Sequence, residues 1–162
     1  MRKKRIMIMG GSGCGKTTLA AFLEPEPFPV RKTPHMVYRS CTLDTPSAYL
    51  ESPCMRSHLI AAAQDASCVL MLVDAAAARC VYPPGFAKAF RVPVFGIVTK
   101  YGHHSDRIPA AEAQLRQIGI AGPFYYLDFD GKSCSEIRQN ELKQVLEPYR
   151  TLALEWTASG QW

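Results

Sequence analysis

Gly10-Gly11-Ser12-Gly13-Cys14-Gly15-Lys16-Thr17-Thr18 sets glycines, a lysine and a hydroxyl at the spacing G-x-x-x-x-G-K-S/T. These residue types in this order grip a polyphosphate and a divalent ion. The glycines let the backbone wrap closely, so that successive N–H groups point inward. The start of the following helix adds partial positive charge at the same place. Lys16 is expected to reach the β- and γ-phosphates, and the Thr17 hydroxyl to ligate Mg²⁺. Such a site needs an acidic group near the metal. Asp44, which opens Asp44-Thr45-Pro46-Ser47, is the natural carboxylate, and Thr33 is a second hydroxyl that could close over the metal and the γ-phosphate. Thr99-Lys100 stands where GTPases carry a Thr-Lys or Asn-Lys pair whose lysine stem packs on the base.

The elements that must position these groups alternate between strand and helix. Ile6 to Met9 reads as a short buried strand ahead of the loop, and Thr18 to Leu23 as the start of a helix. Four prolines between Glu24 and Pro34 forbid a helix there and favour an extended loop. Met36 to Leu43 holds one or two short strands ending at Asp44. Ser52 with Pro53 predicts an N-cap and a helix from Pro53 to about Ala66. Cys68 to Val73 and Pro93 to Val98 are continuous apolar runs, the pattern of strands buried on both faces of a parallel sheet. A long connection, Ala75 to Val92, joins them. Pro109 opens a further helix with Ala111, Leu115 and Ile118 on one face and Gly119 as its stop. Phe124 to Leu127 reads as the last strand. Ser133 and Glu136 form a capping box for a final helix, whose stripe is Leu142, Val145, Leu146 and Tyr149. The alternation predicts an α/β fold with a mainly parallel sheet. One nucleotide-binding domain over 1–150 is expected, followed by a tail without pattern over 151–162.

Composition narrows the class. The chain has 162 residues, 48% hydrophobic and 20% charged, with a net charge of +5. No stretch approaches the ~20 apolar residues of a membrane span. The basic run Arg2 to Arg5 reads as a solvated lead-in to the first strand, so neither nucleic acid nor a membrane is expected as partner, and the expected location is cytoplasmic. None of the six cysteines forms C-x-x-C, which argues against a zinc or redox motif. Cys68 reads as a core residue. Cys14 lies in the loop, where an oxidant reaching it would block nucleotide binding.

The loop, Lys32-Thr33, Asp44-Thr45-Pro46 with Tyr49-Leu50-Glu51, Pro84-Gly85-Phe86 and Pro93 to Lys100 together resemble the ethanolamine-utilisation/propanediol-utilisation (EutP/PduV) family of small P-loop GTPase-like proteins. The resemblance spans roughly residues 4 to 147. It implies a Ras-like P-loop fold, a three-layer α/β/α sandwich. It also implies GTP/GDP, or ATP/ADP, with Mg²⁺, and association with microcompartment shell or enzyme proteins. Activities associated with the family are GTP hydrolysis and acetate kinase; a non-hydrolysing module docking on shell proteins is the other reading.

The chain departs from the family pattern at four places. Ser47 replaces the glycine after Asp-Thr-Pro, and Ala48 follows where a glutamine would orient water. Gly102 replaces the guanine-reading aspartate, with Asp106 the nearest substitute, and Asp128-Phe129 replaces the Ser-Ala pair behind the base. Two lost charge-assisted bonds remove roughly 10²–10⁴-fold of guanine preference. Slow hydrolysis is expected, with Glu51 a weak candidate for positioning water and His103 and His104 read as surface loop residues.

Overall fold

The computed structural model describes residues 4–29, 31, 34–77, 79–99, 104–128 and 136–158. Six strands form one sheet in the order β2-β3-β1-β4-β5-β6. They are β1 (Arg5–Gly10), β2 (Val37–Tyr38), β3 (Thr42–Asp44), β4 (Ala66–Asp74), β5 (Val94–Thr99) and β6 (Phe124–Leu127). Only β2, at one edge, runs antiparallel to its neighbour.

The apolar runs alternate between two cores, as the two-residue period of a strand requires. Met7 and Met9 of β1, Met71 and Val73 of β4, and Val98 of β5 face one side. There they meet Leu50, Leu59 and Leu115 from α2 (Ser47–Glu51), α3 (Arg56–Ala63) and α4 (Ile108–Ile118). Ile6, Ile8, Leu70, Leu72 and Ile97 face the other side. They pack on Leu19 and Leu23 of α1 (Lys16–Leu23) and on Leu142 and Leu146 of α5 (Glu136–Ala158). Helices therefore cover both faces of a mainly parallel sheet, the three-layer α/β/α sandwich expected. β1 at its centre is wholly buried from Ile6 to Met9, so the loop that follows it starts from a rigid base.

Two differences from the sequence reading have local causes. The helix expected from Pro53 to about Ala66 starts as a 3₁₀ turn at Pro53–Met55, continues as α3 and ends early, at Ala63, while α2 precedes it as a separate helix ending at Glu51. Ser52, before the proline, is held extended at φ −95°, ψ 118° and makes no side-chain cap bond. Ala66 already belongs to β4, paired with Arg5. Second, residues beyond Thr151 continue α5 to Ala158. Ala153 is fully buried in the second core, and Arg150 Nε donates to the Leu23 carbonyl at 2.7 Å, tying this helix to the end of α1. The β4–β5 connection is the long one expected, and among its described residues it carries a 3₁₀ turn at Phe86–Ala89. Tyr82, Phe86 and Phe90 fill the space beneath it, the last two edge to face at 5.2 Å. Gly85, at φ 71°, makes the bend that follows two prolines. The capping serine, Ser133, lies outside the described residues.

Candidate functional site

β1 delivers the phosphate loop at the carboxyl end of the sheet. Gly10 is fixed as glycine by crowding, because a Cβ there would collide with Cys14 Sγ and press on Leu72. Gly13 and Gly15 have φ 74° and 95°, the left-handed region that other residues avoid. Gly15 caps α1 with no side-chain hydrogen bond, and the first turn holds no acidic residue. The first N–H groups of α1 are thus open toward an anion. Gly11, Ser12 and Thr18 complete the loop, with Ser12 exposed.

Lys16, only 9% exposed, lies back across this loop. Its Nζ donates to the Gly11 carbonyl at 3.0 Å and sits 4.0 Å from Cys14 Sγ. Cys14 is buried at 2% exposure, so the expectation of an oxidant reaching it does not fit this structure. Burial also pushes the Cys68 thiol up to about 12, which suits an inert core residue.

Thr17 and Asp44 meet beneath the loop. Thr17 Oγ1 donates to Asp44 Oδ2 at 2.9 Å. Asp44 closes β3 beside β1, and the next residue locks its position: Thr45 N and Oγ1 both donate to the Ile8 carbonyl, at 3.2 and 2.7 Å. The Asp44 carboxylate is fully buried, yet its Oδ1 has no hydrogen-bond partner among the described residues. Thr17, donating its proton to Asp44, keeps its lone pairs free. A buried carboxylate oxygen without a partner beside a hydroxyl with free lone pairs fits a hard divalent cation. Thr17 and Asp44 are the residues that could hold one.

The remaining expected residues are distributed unevenly. Thr99, 1% exposed at the end of β5, donates through Oγ1 to the Cys14 carbonyl at 2.8 Å, so it braces the loop from behind. Thr33, Lys100, Gly102, His103 and Phe129 lie outside the described residues. His104 is half-buried and precedes a 3₁₀ turn that contains the exposed Asp106. Glu51 Oε1 accepts from Ser12 N at 3.4 Å, a long bond that brings the end of α2 to the rim of the loop. Both residues line a cavity of about 310 Å³ between the loop, Leu72 and Tyr82.

Three contributors carry no local sequence signal. Glu24 Oε1 accepts from Cys41 N, Thr42 N and Thr42 Oγ1 at 2.9, 2.8 and 2.7 Å, which pins the start of β3 to the end of α1. The buried Tyr82 hydroxyl shares its proton between the carbonyls of Met9 and Leu72, at 3.0 and 2.9 Å, holding β1 and β4 together just before the loop. Burial pushes this phenol well above its usual range, so it remains a donor. Arg39 Nη1 approaches Asp44 Oδ2 at 3.4 Å.

Known proteins match this arrangement at two levels. A family model described as ethanolamine utilisation - propanediol utilisation (PduV-EutP) matches residues 3–146. The chain belongs to that family. The propanediol utilization protein PduV of Citrobacter freundii is 38% identical over 123 residues, which is 75% of this chain and 82% of the relative. Solved structures extend the match in shape. An Era variant of Aquifex aeolicus bound to GDP and AlF4⁻ has a TM-score of 0.62 at 16% identity, covering 92% of this chain and 57% of its own. A probable GTP-binding protein, EngB, has a TM-score of 0.61 at 16% identity, covering 91% of this chain and 99% of its own. The elongation factor SelB of Methanococcus maripaludis, in complex with the GTP analogue GPPNHP, has a TM-score of 0.60 at 17% identity. That match covers 92% of this chain and 34% of SelB, so the chain spans about a third of the factor's length. At these identities the likeness shows the fold alone, and it is the Ras-like P-loop fold. No helix of the described residues is long and apolar enough to cross a membrane.

Proposed function

We propose that this PduV-EutP member binds a nucleoside triphosphate with Mg²⁺ and hydrolyses it slowly, in the service of propanediol-type metabolism within a bacterial microcompartment. The observation that supports this most directly is the Thr17–Asp44 pair with its partnerless Oδ1, set beneath a glycine loop whose helix start is open to an anion. The Citrobacter freundii relative supports the metabolic assignment. Structures bound to a GTP analogue and to GDP with AlF4⁻ among the fold relatives support a guanine nucleotide.

In this reading the backbone N–H groups from Gly13 to Thr18 cradle the phosphates, and Lys16 leaves the Gly11 carbonyl to reach the β- and γ-phosphates. Mg²⁺ held by Thr17 and Asp44, with Thr33 as a further hydroxyl, would neutralise charge on the phosphate oxygens. Lys100 would be the residue to flank the base. Slow turnover follows from Ala48, which cannot orient a water, and a partner protein would supply that group in the assembled microcompartment.

Phosphate release from GTP and ATP, measured with and without acetate, tests the reaction. The expected result is slow release that does not need acetate. Formation of an acyl phosphate dependent on acetate would replace hydrolysis with phosphotransfer. The absence of both, alongside retained nucleotide binding, would leave a docking module.

A further inference from the structure

Arg39 does not belong to the phosphate loop, and nothing in its neighbourhood marks it as a site residue in sequence. Its guanidinium nevertheless lies 3.4 Å from Asp44 Oδ2, the oxygen that also accepts from Thr17. Three contacts hold it there. The guanidinium stacks on the Phe28 ring at 3.9 Å from the centroid. Its own carbonyl accepts from Arg5 Nε at 2.6 Å, and its N–H donates to the Thr42 carbonyl at 2.9 Å across the β2–β3 turn. The side chain is only 15% exposed. This cation is built in rather than swinging in solvent.

We propose that Arg39 is an internal cation of the phosphate site, and that it lowers the affinity of that site for a divalent ion. The inference rests on the nucleotide-binding reading above. Arg39 supplies positive charge at Asp44 Oδ2, while Oδ1 is the oxygen left for a metal. A guanidinium and a divalent ion sharing one buried carboxylate repel each other, so each lowers the affinity of the other. Phe28 is the platform that keeps the guanidinium on Asp44.

The test is a Mn²⁺ titration followed by electron paramagnetic resonance, with saturating GDP, on the unaltered protein, Arg39→Gln and Phe28→Leu. Arg39→Gln is expected to bind Mn²⁺ about tenfold more tightly, within the usual range of coupling between two sites. Phe28→Leu, which keeps the charge but removes its platform, is expected to tighten Mn²⁺ about threefold, the scale of one lost cation–π contact. If Arg39→Gln does not fold, Phe28→Leu decides the matter alone. Mn²⁺ affinity unchanged within about twofold, or weakened, in the folded variants overturns the role of Arg39 and leaves nucleotide binding standing. Failure of the unaltered protein to bind GDP at all would overturn the proposed function, and this inference with it.

Discussion

Lys16→Ala is expected to lower the affinity for GTP and ATP by about 10²–10⁴-fold, since one ammonium lost from two phosphates removes charge-assisted bonds of roughly 1.5–3 kcal/mol each. The same change is expected to leave the nucleotide-free fold nearly as stable as before, within about 1 kcal/mol. The reason is visible in the structure. Lys16 Nζ makes one good hydrogen bond, to the Gly11 carbonyl at 3.0 Å, and a long approach to Cys14 Sγ at 4.0 Å. Calorimetric titration beside urea denaturation separates the two effects. Affinity lost together with several kcal/mol of stability would make Lys16 a structural residue. Unchanged affinity would remove the loop from the site.

Glu24→Ala should act in the opposite order, with stability failing first. One carboxylate oxygen accepts from Cys41 N, Thr42 N and Thr42 Oγ1, and both donor residues are fully buried. Removing it strands two backbone donors and a hydroxyl, at a cost of about 3 kcal/mol or more. For a domain of this size that is a fall of about 10 °C in Tm. Glu24→Gln keeps one acceptor oxygen and should lose less. The effect reaches function through geometry, because Thr42 begins β3 and Asp44 ends it. Once the start of β3 is loosened, Asp44 no longer holds Thr17 at a fixed distance, so nucleotide affinity should drop in the folded fraction. Denaturation of Glu24→Ala with an unchanged midpoint would show that other contacts hold β3.

The contrast between these two residues explains what could be read from the chain. Lys16 belongs to a motif whose chemistry is contiguous, and the loop, its strand and its helix are legible together. The same holds for β4 and β5, whose unbroken apolar runs announce burial on both faces, and for α4, bracketed by Pro109 and Gly119. Glu24, Tyr82 and Arg39 act across long loops or turns, and no local pattern distinguishes them from ordinary residues. Pro53 gave a correct signal with an incomplete meaning. It starts a helical segment, but it also forces Ser52 out of helical geometry and so cuts α2 from α3. The end of α5 is hidden for another reason: residues from Thr151 on show no local pattern, and the helix continues there with Ala153 buried in the second core, a tertiary contact that local propensity does not register.

The site shows the same division. Thr17 and Asp44 were expected together and stand 2.9 Å apart. Thr99 was expected beside the base, and its hydroxyl is engaged with the Cys14 carbonyl, so the end of β5 is coupled to the loop itself. What the base-side residues select is a matter of Gly102, which offers no carboxylate to guanine.

In the proposed function a nucleotide's phosphate grip is joined to a weak reader of its base. Calorimetric titration of the unaltered protein with GTP, GDP, ATP and ADP in the presence of Mg²⁺ checks this in one experiment. Measurable binding of all four is expected, with guanine favoured over adenine by less than about tenfold, because no pair of charge-assisted bonds distinguishes them. A guanine preference of a thousandfold or more, or no binding of any of the four, would contradict it.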